Sequence, residues 1–154
     1  MSLRDELLTD PAARGYEAYV DLGNNAALVR LLNERLYAQV GARRISSAEL
    51  LIWAAQDDRL GRLKAAIGDT ALPSALRTIA DAAVQVIERD GTEIDMSRPE
   101  IQQMVTALVQ ASVFTADDQS SLETLSTAQV SRAEIVLGRQ VSLADVREAL
   151  NAAA

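Results

Sequence analysis

Apolar side chains recur three and four positions apart along most of the chain, the spacing of helices that bury one face. The clearest run lies between Pro73 and Arg89, where Leu76, Ile79, Ala80, Ala83, Val84 and Ile87 form one stripe and Gly91 stands just past the end. It predicts a central core helix. Ser2 can cap a short first helix through Leu8, and Asp10 followed by Pro11 predicts a second helix from Pro11 to Val20, because proline suits the first helical position. After the break at Gly23-Asn24-Asn25, "AALVRLLNERLY" puts Leu28, Leu31, Leu32 and Leu36 on one face and predicts a third helix from Ala26 to Tyr37, with Gly41 beyond it. Further helices are expected from Ser46 to Ala55, from Asp57 to Gly68, from Ser97 past Leu108, and from Thr115 through Leu125. Thr92 to Met96 reads as a loop or short extended piece. "AQV" (Ala38 to Val40) and "RQV" (Arg139 to Val141) are candidates for one small strand pair, and the closing alanines are expected to fray.

One six-residue pattern recurs: "ISSAEL" (Ile45 to Leu50), "VSRAEI" (Val130 to Ile135) and "VSLADV" (Val141 to Val146). In each, the second residue is a serine with an acid three positions later. The serine hydroxyl can accept from a first-turn N–H while the acid reaches back to the serine N–H, which is a capping box. The flanking apolar residues, Ile45 with Leu50, Val130 with Ile135 and Val141 with Val146, have the spacing of a hydrophobic staple. Ser46 with Glu49, Ser131 with Glu134, and Ser142 with Asp145 are therefore structural caps, and Ser97 with Glu100 is read the same way. Gly138 between the last two copies predicts two short helices in a tight hairpin.

Composition narrows the picture. With 3% aromatics and no long linker or low-complexity tract, the chain reads as all-α, a single domain over 1–154 of eight or nine short helices. No apolar run approaches the roughly 18 residues of a membrane span, so a soluble chain without a membrane partner is expected. A net charge of -7 and a pI near 4.6 argue against a nucleic-acid surface, which needs clustered Lys and Arg. There is no cysteine and no histidine. That removes disulfides, thiol nucleophiles, serine triads of the usual kind and most zinc chemistry.

Little else suggests catalysis. The pairs Asp57-Asp58 and Asp117-Asp118 sit at predicted helix starts, where negative charge meets the positive end of the helix dipole, so capping is favoured over metal binding. "DGTEID" (Asp90 to Asp95) lacks the ligand spacing of a calcium loop, and the glycines form no phosphate-binding pattern. No catalytic residue, metal or cofactor is expected. Arg14-Gly15-Tyr16 stands out because glycine inside a predicted helix costs about 1 kcal/mol relative to alanine, which suggests a kink or close backbone approach. Arg14, Gly15, Tyr16, Tyr19, Tyr37 and Trp53 are the candidates for contacts, within the subunit or with a neighbour.

"ELLTDPAARGY" (Glu6 to Tyr16), "LLNER" (Leu31 to Arg35) and "SRAEIVLGRQVSLADVREAL" (Ser131 to Leu150) together resemble a family of small, mostly helical proteins encoded by tailed bacteriophages and prophages. In that family an opening of the type T-D-P-x-x-x-G-Y is followed by "LN", and a closing S-R-A-E-x-x-[L/F]-G leads into a valine and a final "D-V" helix. The match covers both ends of the chain. The resemblance implies a non-enzymatic structural protein of the phage particle, in the neck, tail or fibre-attachment region, made in the bacterial cytoplasm and packed against itself or other virion proteins. It brings no catalytic residues. The alternative is a helical adaptor or regulatory protein that binds a phage or host partner outside the particle; an acidic-residue metal enzyme would need several carboxylates to converge.

Overall fold

A computed structural model of the chain describes residues 1–152, which are mostly helical. The elements are α1 (Leu3–Thr9), α2 (Tyr16–Asp21), α3 (Asn25–Asn33), β1 (Arg35–Gln39), β2 (Ile45–Ser46), α4 (Ser47–Ala55), a 3₁₀ turn (Gln56–Asp58), α5 (Arg59–Gly68), α6 (Ser74–Glu88), β3 (Glu93–Ile94), α7 (Pro99–Gln110), α8 (Ala116–Ser126), β4 (Ala128–Ser131), α9 (Arg132–Leu137) and α10 (Leu143–Asn151). The fold is all-α, with β1 paired to β4 and β2 antiparallel to β3, Ile45 opposite Ile94 and Ser46 opposite Glu93. The fraying expected of the closing alanines falls largely on residues 153 and 154, outside the described residues.

The contacts group into two compact units, where the sequence suggested one domain. Unit 1 is Met1–Ala38 with Gln129–Ala154, and unit 2 is the intervening Gln39–Ala128. Unit 1 gathers α1, α2, α3, α9 and α10 around Leu7, Tyr16, Leu28, Leu32, Ala133 and Val146. Within it the side chain of Asn33 donates to the Val141 carbonyl (2.8 Å) and accepts from the Val141 N–H (2.9 Å). Unit 2 packs α4 to α8 around Ile45, Leu50, Trp53, Leu63, Leu108 and Phe114, with α5 and α6 lying along one another. Its two ends are tied together. The Gly41 N–H donates to Ser126 Oγ (3.1 Å), the Arg43 N–H to the Ser126 carbonyl (3.0 Å), and the Arg43 guanidinium to the Leu125 carbonyl. Gly41 has φ of +78°, and a Cβ there would lie 2.8 Å from the Ser97 backbone nitrogen, so this turn requires glycine.

All three copies of the repeated pattern form capping boxes, at Ser46/Glu49, Ser131/Glu134 and Ser142/Asp145, and two further boxes form at Ser2/Asp5 and Thr115/Asp118. The staple residues Ile45, Leu50, Val141 and Val146 are buried, whereas Ile135 remains 42% exposed. Gly138, left-handed at φ +69°, ends α9 before the hairpin to α10. The central helix is α6, close to its predicted bounds.

Four expectations fail, each for a local reason. The second helix starts at Tyr16 rather than Pro11, because Asp10 adopts φ of +41° and closes α1 instead of opening a new helix. The third helix ends at Asn33, and Arg35 to Gln39 is β1; strand pairing with β4 overrides the helical spacing and leaves Leu36 50% exposed. The strand pair expected between Ala38–Val40 and Arg139–Val141 does not form, since β4 takes the place beside β1 and Gln140 and Val141 are irregular. Ser97 and Glu100 make no capping box. Pro99 occupies the first helical position, which makes Arg98 the N-cap and sets Ser97 one residue too early; its N–H and Oγ donate to Asp95 instead (3.0 and 2.5 Å).

This contrast is testable by urea unfolding. Ser142→Ala should lower stability by about 1 kcal/mol, the usual loss for a side-chain cap. Ser97→Ala should fall well short of that, because no cap bond exists there to lose.

Candidate functional site

In unit 1 the resemblance-bearing residues converge on one buried ion pair. Glu6 on α1 is fully buried, and Arg132, the first residue of α9, donates to both its oxygens (2.8 and 2.6 Å). That bond holds the guanidinium's proton affinity above its ordinary value. The same guanidinium lies 5.7 Å from the ring centre of Tyr37 on β1. Asp10 forms the other fixed point: its carboxylate accepts from the backbone N–H groups of Arg14 (2.7 Å), Gly15 (2.6 Å) and Tyr16 (3.2 Å). This is a carboxylate seated in a cup of amides, which folds "TDPAARGY" into a compact loop. Gly15 serves that loop through its φ of +77°; a Cβ there would meet nothing within 4 Å, so its role is conformational and close approach is not involved.

The contact candidates therefore divide. Tyr16 is fully buried in the core of unit 1, so it is not a surface anchor. Its hydroxyl has no hydrogen-bond partner among the described residues, and burial, reinforced by Glu6, pushes its pKa up to about 12. Arg14 is half-buried and pairs with Glu34. Tyr19 is half-buried against the same core, and Tyr37 is half-buried beneath Arg132. Trp53 is only 4% exposed, in the core of unit 2.

Around Trp53 lies a second ionic knot that periodicity did not reveal. The indole N–H donates to Ser121 Oγ (2.8 Å), Phe114 meets the ring edge-on at 5.4 Å, and the Arg59 guanidinium stands 4.9 Å from the ring centre. Arg59 is buried and donates to Asp118 (2.6 Å), to Asp57 (2.8 Å) and to the Trp53 carbonyl (2.8 Å). Arg62 donates to the other Asp118 oxygen (2.8 Å) and to the Val113 carbonyl (3.0 Å). Burial acts to raise the Asp118 pKa, but the Thr115 N–H and the two arginines outweigh it and hold the carboxyl well below the usual range. Asp118 thus caps α8 and bridges to α5. The neighbouring acid Asp58 begins α5 at φ of +55° and makes no cap bond, contrary to the expectation for the Asp57-Asp58 pair. Among the described residues no group of three acidic side chains is placed to hold a metal ion, and no helix is long and apolar enough to cross a membrane.

Unit 2 also contains an apolar cavity of about 370 Å3 between α6, α7 and β3. Trp53, Leu108 and Phe114 form part of its floor, and Arg44, Glu93, Asp95 and Arg98 carry charge at its lining. Sequence gave no sign of it, because the lining comes from segments far apart in the chain. The chain matches no protein-family model, no curated protein and no solved structure.

Both buried knots make checkable claims. Replacing Asp118 by Asn should cost about 3 kcal/mol in urea unfolding, since Arg59 would stay buried with only the exposed Asp57 as a counter-charge. The Asp118 contribution should be complete above the ordinary carboxyl pKa of 3.8 and fade as pH falls through the depressed folded value. Tyr16 has the opposite sign. Its phenol keeps its proton in the folded state up to about 12 but ionises near 10 when unfolded, so stability should fall as pH rises past 10. Tyr16→Phe should reduce that alkaline slope while leaving stability at pH 7 unchanged or slightly higher, as thermal melts from pH 7 to 11.5 would register.

Proposed function

We propose that this chain is a non-enzymatic structural component of a tailed-phage particle, in the neck, tail or fibre-attachment region, acting by subunit packing. The observation that carries the reading is where the phage-like residues lie. Glu6 to Tyr16, Leu31 to Arg35 and Ser131 to Leu150 all belong to unit 1, although they stand at opposite ends of the chain. Within it they hold one another: Asp10 grips the loop to Tyr16, Asn33 grips Val141, and Arg132 grips Glu6. A split sequence pattern thus corresponds to one folded module, and the segment outside the resemblance is a unit of its own.

Surface chemistry supports packing as the mode of action. Leu22 (78% exposed) and Leu36 (50%) in unit 1, and Ile52 (64%) in unit 2, present large apolar side chains to solvent. Such side chains gain free energy when a neighbouring subunit covers them. Leu22 stands at the C-terminal cap of α2, Leu36 on β1 and Ile52 on the capped helix α4, so all three are held by regular structure, which favours a geometric role.

Light scattering of the purified chain tests the idea, together with mass spectrometry of purified particles from the encoding host. A stable oligomer of more than two subunits, and the chain's peptides in the particles, are the expected results. Leu22→Glu with Leu36→Glu should reduce the mass without lowering the melting temperature. A monomer or dimer absent from particles would overturn the reading in favour of the adaptor.

A further inference from the structure

We infer that the cavity of unit 2 binds a small uncharged amphiphile, an apolar body with a hydroxyl- or amide-like head. The inference does not depend on the assembly role. A volume of about 370 Å3 falls within the roughly 300–1,000 Å3 typical of small-molecule pockets. Apolar cavities of only ~150 Å3 already take up benzene, so a body the size of an eight-carbon chain is a reasonable occupant. The floor is apolar and aromatic, with Trp53 and Phe114 packed edge to face. The walls are different. Ala83 and Val86 on α6, and Ile101 and Met104 on α7, line the cavity yet remain half-buried, so an occupant would remove their remaining apolar surface from water.

The lining charges select the head group. Arg44 and Arg98 face the cavity together with Glu93 and Asp95, two cations and two anions. Arg44 lies 3.5 Å from Glu93, Arg98 lies 3.7 Å from Glu100, and Asp95 accepts both the N–H and the hydroxyl of Ser97. Arg44 and Glu93 are thus paired with each other and Arg98 with Glu100, while Asp95 is held by the neutral Ser97. Arg44, Glu93 and Arg98 stay largely in solvent, so they offer a charged head little in return for the water it would lose on entering the cavity. A neutral hydroxyl or amide gives up less water and can still accept from an arginine or donate to a carboxylate.

Trp53 is the chain's single tryptophan, so its fluorescence reports from the cavity itself. The test titrates the full chain with 1-octanol, octanoate and octylamine below their aggregation limits, following Trp53 emission and melting temperature. Octanol should give a saturable emission change and a higher melting temperature, with the two charged analogues at least tenfold weaker. Ala83→Leu should abolish the octanol response while helical circular dichroism is retained; Ile101→Phe serves if that variant does not fold. No saturable change with octanol overturns the inference, as does equal or tighter binding of either charged analogue. Loss of self-association in Ala83→Leu with an unaltered octanol titration would assign the groove to a protein partner and overturn it as well.

Discussion

A carboxylate with no exposed surface is tolerable only beside a cation that is itself well bonded, and Glu6 meets that condition through Arg132 alone among the arginines. The rest of unit 1 is arranged around this requirement. α1 must bring Glu6 inward, and Ser131 must start α9 so that Arg132 emerges at its first residue. Tyr37 then covers the guanidinium from β1. The pair joins residues 126 positions apart, which makes the two ends of the chain one object. The capping box at Ser131/Glu134 therefore sets the direction of the helix that supplies the cation, in addition to satisfying its N-terminal amides.

Unit 2 solves the same problem differently. Asp118 is also a capping acid, but its oxygens are shared among the Thr115 N–H, Arg59 and Arg62, so one carboxylate starts α8 and binds α5. Arg59 then reaches over Trp53 and bonds that residue's own carbonyl, locking α4, the 3₁₀ turn, α5 and α8 around a single side chain. The left-handed residues Asp57 and Asp58 make the sharp entry to α5 from which Arg59 can point inward. Near this rigid knot, the space between α6 and α7 is bordered by small residues such as Ala82 and Ala83, and the cavity remains open.

Helix grammar was largely legible in the sequence because it is local. Caps need a serine or threonine and an acid three residues on, and the repeated pattern showed where three helices start. The all-α class followed from apolar spacing, and α6 was found nearly to its ends. What depended on distant residues was not legible. Asn33 ends α3 through Val141, and β1 departs from helical spacing through β4; neither partner is visible from the segment itself. The candidate contacts mixed both cases. The sequence singled out Gly15 for a kink or a close backbone approach inside a helix; its role is conformational, but in a left-handed loop built on Asp10 that precedes the helix. Tyr16 and Trp53 were recognised as amphipathic side chains, and only packing reveals that both lie inside. Arg59 and Asp118 carried a faint signal, an acid at the third helical position and an arginine after two aspartates, but nothing joined them across 59 positions.

The nesting of one unit within the other has a consequence for biosynthesis. Every contact that defines unit 2 lies within one continuous stretch of chain, whereas unit 1 draws Glu6, Leu7 and Tyr16 from before that stretch and Arg132, Val141 and Val146 from after it. In synthesis from the N-terminal side, unit 2 has all its partners before Glu6 has its cation. α1 precedes unit 2 in the chain but cannot complete its own core before α9 and α10 are present. Ordering the intervening stretch also removes chain freedom that closing unit 1 would otherwise have to overcome.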